Sequence, residues 1–228
     1  MSQKVMVLGA AGKMGVAAVQ ALEKDPRFTL AGCITRGDNL EQALVDYNPD
    51  IVVDLTLPDA ILANAKVVLA HKKALIIGAS GLQEDGLAWI QARCASHQAQ
   101  VAIIPNFSVG AALMIKAAQM IAPMMADCDI IEFHHKQKID APSATSLYTK
   151  KVLEDARGRD AVPIAINSVR NNGFIASQEI HFGQLGESMA ISHHTSSREA
   201  FMPGLLLVCS KIRKRPGMQI GLANFLDT

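Results

Sequence analysis

Through the first hundred residues, short unbroken apolar runs alternate with longer stretches of helical period. Val5-Met6-Val7-Leu8 is stopped by Gly9, the pattern of a strand buried on both faces. From Gly12 the period lengthens, placing Met14, Ala18, Ala21 and Leu22 on one helical face until Asp25-Pro26 ends it. Phe28–Ile34 reads as a second strand and Leu40–Tyr47 as a helix, followed by a strand over Ile51–Leu55. A helix over Ile61–His71, a strand over Ala74–Ile77, a helix over Leu82–His97 and a strand over Val101–Ile104 continue the alternation. Such alternation makes βαβ units, and so an α/β, Rossmann-type parallel sheet covered on both faces.

After about residue 108 the rhythm changes. Ala111–Met125 is a strongly apolar helix candidate, Asp129–His135 a strand, and Pro142–Arg157 an amphipathic stretch. Ile164–Arg170, Phe174–Phe182 and Glu187–Thr195 then follow as three strands. Consecutive strands with few helices between them predict a second, α+β domain built on a mixed sheet. The pattern from Ala200 reads as helical until Pro216-Gly217.

Composition narrows the function classes. Half of the 228 residues are hydrophobic and 22 Lys+Arg balance 21 Asp+Glu, which excludes disorder and gives no general pull toward nucleic acid or anionic membrane. With 2 Tyr, 1 Trp and 7 Phe, stacking platforms for single strands are scarce. No apolar run approaches the ~20 residues of a membrane helix. Met1-Ser2-Gln3-Lys4 lacks the layout of a secretory leader, so a cytoplasmic protein is expected. Cys33, Cys94, Cys128 and Cys209 form no C-x-x-C pair and are expected to be buried, reduced thiols. Four cations in the five residues Lys211–Arg215 read as a solvated helix end.

Two segments carry chemistry. Gly9-Ala10-Ala11-Gly12-Lys13-Met14-Gly15 lies between the first strand and the first helix, the context in which glycines admit a dinucleotide pyrophosphate to a helix N-terminus. At the end of the second strand Thr35 stands where an acid would read the ribose of NAD, and Arg36 follows it. An arginine there suits a 2′-phosphate, so NADPH is expected as the preferred cofactor, with NADH possible. Asp54–Pro58, Gly78-Ala79-Ser80-Gly81 and Ile104-Pro105-Asn106-Phe107 end further strands and share the same crevice. In the second domain, Glu132-Phe133-His134-His135-Lys136-Gln137-Lys138 gathers four potential cations within five positions. Asp140-Ala141-Pro142-Ser143 follows as a helix start, whose N–H groups at Ser143, Ala144 and Thr145 suit a carboxylate or phosphate. Adjacent histidines on a strand point to opposite faces, which argues against a metal site.

The run Glu132–Thr145, E-x-H-H-x-x-K-x-D-A-P-S-x-T, resembles the signature of the dihydrodipicolinate reductase family. Gly9–Met14, Asp54–Pro58, Pro105–Gly110 and the segment Ser192–Phe201 resemble its other marks in order, across essentially the whole chain. The resemblance implies reduction of the cyclic dicarboxylate (2S,4S)-4-hydroxy-2,3,4,5-tetrahydrodipicolinate to tetrahydrodipicolinate, with loss of water, in diaminopimelate and lysine biosynthesis. It implies His134 and Lys138 as the acid/base pair, Lys138 being the proton donor. His135, Ser143, Ala144 and Thr145 would hold substrate. Gly9, Ala10, Ala11, Gly12, Lys13, Met14, Arg36, Gly78, Ala79, Ser80, Ile104, Pro105, Asn106 and Phe107 would line the cofactor. It further implies a homotetramer joined through the second domain's sheet. The domains are then 1–108 for the dinucleotide, 109–204 for substrate and assembly, and 205–228 returning to the first.

This chain departs from the family pattern in four places. It is shorter between Arg36 and Asp50, has Ala144 for a glycine and Ala79-Ser80 for two threonines, and lacks a glycine and a histidine around Ser177-Gln178-Glu179. The rival readings are a nucleotide sensor without turnover, and a related Rossmann dehydrogenase acting on another small amino acid.

Overall fold

Strands β1 (Gln3–Leu8), β2 (Phe28–Ile34), β3 (Ile51–Asp54), β4 (Ala74–Ile77) and β5 (Gln100–Ile103) alternate with helices α1 (Lys13–Lys24), α2 (Leu40–Tyr47), α3 (Pro58–Ala70) and α4 (Glu84–His97). The structure is a computed structural model and describes residues 2–78, 82–97, 99–158 and 162–227. Every residue of β3 and β4 is buried, as expected of strands covered on both faces. On α1, Gly15, Ala18 and Leu22 recur at helical spacing and form the buried face. α2 begins at Asn39, whose side chain accepts from the Gln42 N–H, and α3 begins with Pro58 in its first turn.

The second unit contains α5 (Val109–Ile121), β6 (Asp127–His134), α6 (Ala144–Arg157), β7 (Ala165–Arg170), β8 (Ala176–Gln184) and β9 (Glu187–Thr195). Its sheet runs in the order β7-β6-β8-β9; β6 and β7 are parallel and the other pairs antiparallel, so the sheet is mixed. Register places Ile166, Ile130, Ile180 and Ile191 in one row across all four strands. That row packs with Met114, Ile115, Ala118 and Leu153 of α5 and α6 into the unit's core.

The tail adds an element to the sequence reading. α7 (Met202–Lys211) is helical as expected, but Gly217–Ile220 forms a further strand, β10, parallel to β5. The first sheet therefore has six parallel strands in the order β10-β5-β4-β3-β1-β2. Four residues of mixed polarity, Gly-Met-Gln-Ile, carry too little pattern to announce a strand; the free edge of β5 orders them. Residues up to Phe107 and from Phe201 onward make up the first unit, and Ser108–Ala200 the second.

Two composition-based expectations meet the structure differently. In the basic tail, Arg213 pairs with Asp50 at 3.1 Å, while Lys211 and Arg215 pair with Asp227, so these cations serve the fold's surface. Cys94, Cys128 and Cys209 are buried, but Cys33 is exposed, because β2 is an edge strand. No helix among the described residues is long and apolar enough to cross a membrane.

Candidate active site

In the first unit the glycine loop joins β1 to α1. Gly9 has φ +75°, and a Cβ on it would lie 2.8 Å from the Leu55 carbonyl oxygen. A Cβ on Gly15 would lie 2.1 Å from the Gly9 carbonyl oxygen, so α1 can reach the loop this closely only with glycine there. Gly12 is the N-cap and supplies no side-chain acceptor to the first turn of α1. The helix thus presents its first N–H groups unclaimed by a cap, beside exposed Ala11, Gly12 and Lys13, half-buried Met14 and buried Ala10. An uncapped, glycine-bordered helix start fits a pyrophosphate.

The neighbouring strand ends are built around it. Asp54 is fully buried and accepts from the Thr56 N–H at 2.9 Å, the Thr56 hydroxyl at 2.6 Å and the Asn64 amide at 3.0 Å, which fixes the turn after β3. At Gly78 the space that a Cβ would need is taken by Leu55 and Phe107, so its smallness serves packing as well as any ligand. Ile104 and Phe107 are buried, leaving Pro105 and Asn106 as the partly exposed part of that segment. Ala79 and Ser80 lie outside the described residues. After β2, Arg36 is exposed with no ion-pair partner among the described residues. Asp38 turns back, its carboxylate accepting from the Thr35 N–H at 2.7 Å and hydroxyl at 2.9 Å, and these bonds hold it below the ordinary carboxyl range.

The second unit's helix-covered sheet face changes character strand by strand. Beyond the isoleucine row lies Ser168–Glu132–Gln178–His193, and beyond that Arg170–His134–Ala176–Thr195. Glu132 is fully buried. Its Oε2 accepts from the Ser143 N–H at 3.0 Å and the Ser146 hydroxyl at 2.7 Å. Its Oε1 accepts from the Ser168 hydroxyl and the Arg170 guanidinium, both at 2.7 Å. Burial alone would raise this carboxyl, but the four donors outweigh it and bring it down to about 2. His134 lies on the same face, Nδ1 3.7 Å from Glu132 Oε2. Burial, opposed by Glu132 and reinforced by Lys138 and Arg170, brings its imidazole down to about 4. Lys138 Nζ pairs with Asp140 at 2.8 Å; burial alone would raise the Asp140 carboxyl, and this bond holds it low instead.

The start of α6 differs from the sequence reading. Ser143 is the N-cap, not an open donor: its N–H is spent on Glu132, and its hydroxyl accepts from the Ser146 N–H at 3.2 Å. It is also buried, which leaves Ala144 and Thr145, both partly exposed, as the helix's first unclaimed N–H groups. Ala144 is an ordinary right-handed helical residue, so losing the family glycine costs nothing here. Gln178, which stands in the departing strand, is satisfied within the interior: it donates to Ser146 Oγ at 2.9 Å, and its oxygen lies 3.0 Å from the Thr149 hydroxyl.

Sequence reasoning gave Glu132 no role of its own and missed Arg170 and Thr195. His134 Nδ1, Arg170 Nε and Thr195 Oγ1, in the row at this end of the second sheet, and His135 Nδ1, in the residue after β6, are buried polar atoms without a hydrogen-bond partner among the described residues. Buried polar groups are nearly always paired, so unpaired ones along this end of the sheet mark a place for a polar ligand. No sequence signal singles out Arg170 or Thr195, because only strand register brings them level with His134. No group of three or more His, Cys, Asp or Glu side chains suited to a metal ion occurs among the described residues.

Comparison with known proteins accounts for both units. The family models for the N-terminus and the C-terminus of dihydrodipicolinate reductase match residues 3–107 and 110–226. The 4-hydroxy-tetrahydrodipicolinate reductase of Legionella pneumophila (strain Corby) is 37% identical over 243 aligned residues, covering 99% of this chain and 100% of that protein. Its counterpart in Corynebacterium urealyticum is 33% identical, covering 98% of each. A dipicolinate-bound dihydrodipicolinate reductase from Paenisporosarcina sp. TG-14 superposes with a TM-score of 0.85 at 27% identity, over 99% of this chain and 100% of that one. A probable dehydrogenase from Thermotoga maritima shares the fold alone, with a TM-score of 0.71 at 8% identity over 97% of this chain and 92% of that one.

Proposed function

The chain belongs to the dihydrodipicolinate reductase family, and from that premise we propose how its residues divide the reaction. The reaction is the nicotinamide-nucleotide-dependent reduction of 4-hydroxy-tetrahydrodipicolinate to tetrahydrodipicolinate in diaminopimelate and lysine biosynthesis. In balance, one hydride and one proton enter and one water leaves. The nicotinamide, when bound, supplies the hydride.

The observation that carries the assignment is the set of buried polar atoms on His135, Arg170 and Thr195 that have no hydrogen-bond partner among the described residues. A planar dicarboxylate such as the dipicolinate bound by the Paenisporosarcina relative has the acceptors these donors lack. Ala144 and Thr145 N–H groups with His135 hold the substrate's carboxylates, and Ser143 holds the helix start that presents them. Lys138 delivers the proton, and Asp140, 2.8 Å from its ammonium, keeps it aimed. His134, neutral at pH 7, is its acid/base partner.

The loop Gly9–Met14 holds the pyrophosphate, with Gly78, Ala79, Ser80 and the segment Ile104–Phe107 around the nicotinamide half. NADPH is the preferred cofactor and NADH a second one: Arg36 is free to meet a 2′-phosphate, while Asp38 is tied to Thr35. The reading also includes a homotetramer and a cytoplasmic setting. The sheet face away from α5 and α6 supports the former, with Val169, Ala190, Ser192 and His194 exposed on it.

A coupled assay tests the assignment. The substrate is generated from pyruvate and aspartate semialdehyde by its synthase, and oxidation of NADPH and NADH is followed separately. Synthase-dependent oxidation, faster with NADPH, is expected. A folded chain that binds NADPH but oxidises neither cofactor would instead be a sensor. Sedimentation as a species of four 24.4 kDa chains is expected; a monomer would remove the tetramer.

A further inference from the structure

The row Ser168–Glu132–Gln178–His193 lies between the apolar core and the substrate site and takes no part in the chemistry described above. A buried carboxylate is a costly way to join a sheet to a helix, and the adjoining isoleucine row already does that by packing. We propose that Glu132 is the positioning residue of this active site: it sets the amino end of α6 and fixes the tautomer and orientation of His134. The inference rests on the substrate site assigned above.

Two features of the geometry carry it. First, the four donors to Glu132 come from separate elements: Ser143 and Ser146 from α6 and its cap, Ser168 and Arg170 from β7. One side chain on β6 therefore holds the α6 cap in register with the sheet. It uses the Ser143 N–H and leaves those of Ala144 and Thr145 facing the ligand end. Gln178 and Ser143 both donate to Ser146 Oγ, so the serine's own proton is directed onto Glu132. Arg170 balances the charge and reaches on to the Asp140 carbonyl at 2.7 Å, tying the Lys138-bearing turn to the same carboxylate.

Second, Glu132 Oε2 lies 3.7 Å from His134 Nδ1. A lone pair on Nδ1 would be repelled by the carboxylate, whereas an N–H is attracted. The neutral ring therefore carries its proton on Nδ1, and its Nε2 is left as an acceptor. The other charged groups acting on the ring are Lys138, Arg170 and Asp140. With Nε2 unprotonated, His134 accepts a proton and Lys138 remains as the donor.

The wild-type chain gives the first test. Nitrogen-15 NMR of labelled histidine, with His134 assigned from a His134→Asn variant, should show the Nδ1–H tautomer at pH 7. An Nε2–H tautomer would overturn the proposal, whether or not any variant folds and whether or not the chain turns over substrate.

The second test compares Glu132→Gln, Glu132→Asp and Thr149→Val for kcat, thermal midpoint and dipicolinate affinity by calorimetry. Glu132→Gln should lose roughly 10²-fold in kcat, the scale of an ångström misplacement, and bind dipicolinate more weakly. Glu132→Asp should recover part of both. Thr149→Val, which disturbs the same interior through Gln178, should lower the midpoint and leave dipicolinate affinity unchanged. A folded Glu132→Gln variant with wild-type kcat and dipicolinate affinity would reduce Glu132 to a structural residue. Absence of turnover in the wild type would instead refute the functional reading.

Discussion

Lys138 and Asp140 form an ion pair within the segment that the sequence singled out, and that pairing defines what the lysine can do. An ammonium held at one end by a carboxylate is oriented without being neutralised, as a proton donor requires. Lys138→Ala should therefore lower kcat by ~10²–10⁴-fold while the dissociation constant of NADPH, read by calorimetry, stays as in wild type. Near-wild-type turnover would end the assignment. His134 is a different case. Its motif position was legible, but its neutrality was not, because the burial that depresses it, and the Arg170 charge on β7 that reinforces Lys138, depend on the fold. Ser143 shows the converse: the D-A-P-S run announced a helix start, yet the bond that turns its N–H inward needs Glu132, eleven residues earlier on β6.

Elements built on a close approach are the most sensitive to single atoms. α1 meets the glycine loop so tightly that a Cβ on Gly15 would fall 2.1 Å from the Gly9 carbonyl oxygen. The obstacle is backbone, so no side chain can swing aside. Gly15→Ala should move the start of α1 off the loop and abolish NADPH binding measurable by calorimetry at micromolar protein. Retained wild-type affinity would show that the pyrophosphate sits elsewhere. This motif was readable because strand, glycines and helix lie next to one another in the chain. β10 was not, since its four residues become a strand only against β5, more than a hundred positions earlier.

For the molecule as a whole, buried titratable groups set the response to acid. Glu132 is lowered from 4.5 to about 2 and His134 from 6.5 to about 4. Between about 4 and 6.5 the unfolded chain binds more protons at His134, and between about 2 and 4.5 more at Glu132. Stability therefore rises with pH across both windows and is lost as pH falls through them. The thermal midpoint of the second unit should drop steadily below pH 6.5, and His134→Asn should flatten the upper part of that fall. A midpoint that stays level from pH 6.5 to 4 would contradict the buried, neutral His134. The returning tail makes a separate prediction for the first unit. Removing residues 216–228 strips β10 from the β5 edge and takes out buried Leu222 and Phe225. Trp89, the one tryptophan, lies in α4 of the first unit, and its fluorescence should report unfolding at a lower midpoint. An unchanged midpoint would mean the tail adds nothing to that unit.

Sequence alone determined the alternation of strands and helices, the change to a mixed sheet near residue 108, the glycine loop and the segment Glu132–Thr145. Each of these is written in residues close together in the chain, where period, turn chemistry and motif spacing act. Tertiary structure decided the rest. It placed Arg170, His134 and Thr195 in one row, gave Glu132 four donors drawn from two other elements, turned Ser143 inward, and made a strand of Gly217–Ile220. The physical reason is common to all four. Strand register and burial join residues far apart in sequence, and a carboxylate, an imidazole or a strand edge takes its character from whatever the fold sets beside it.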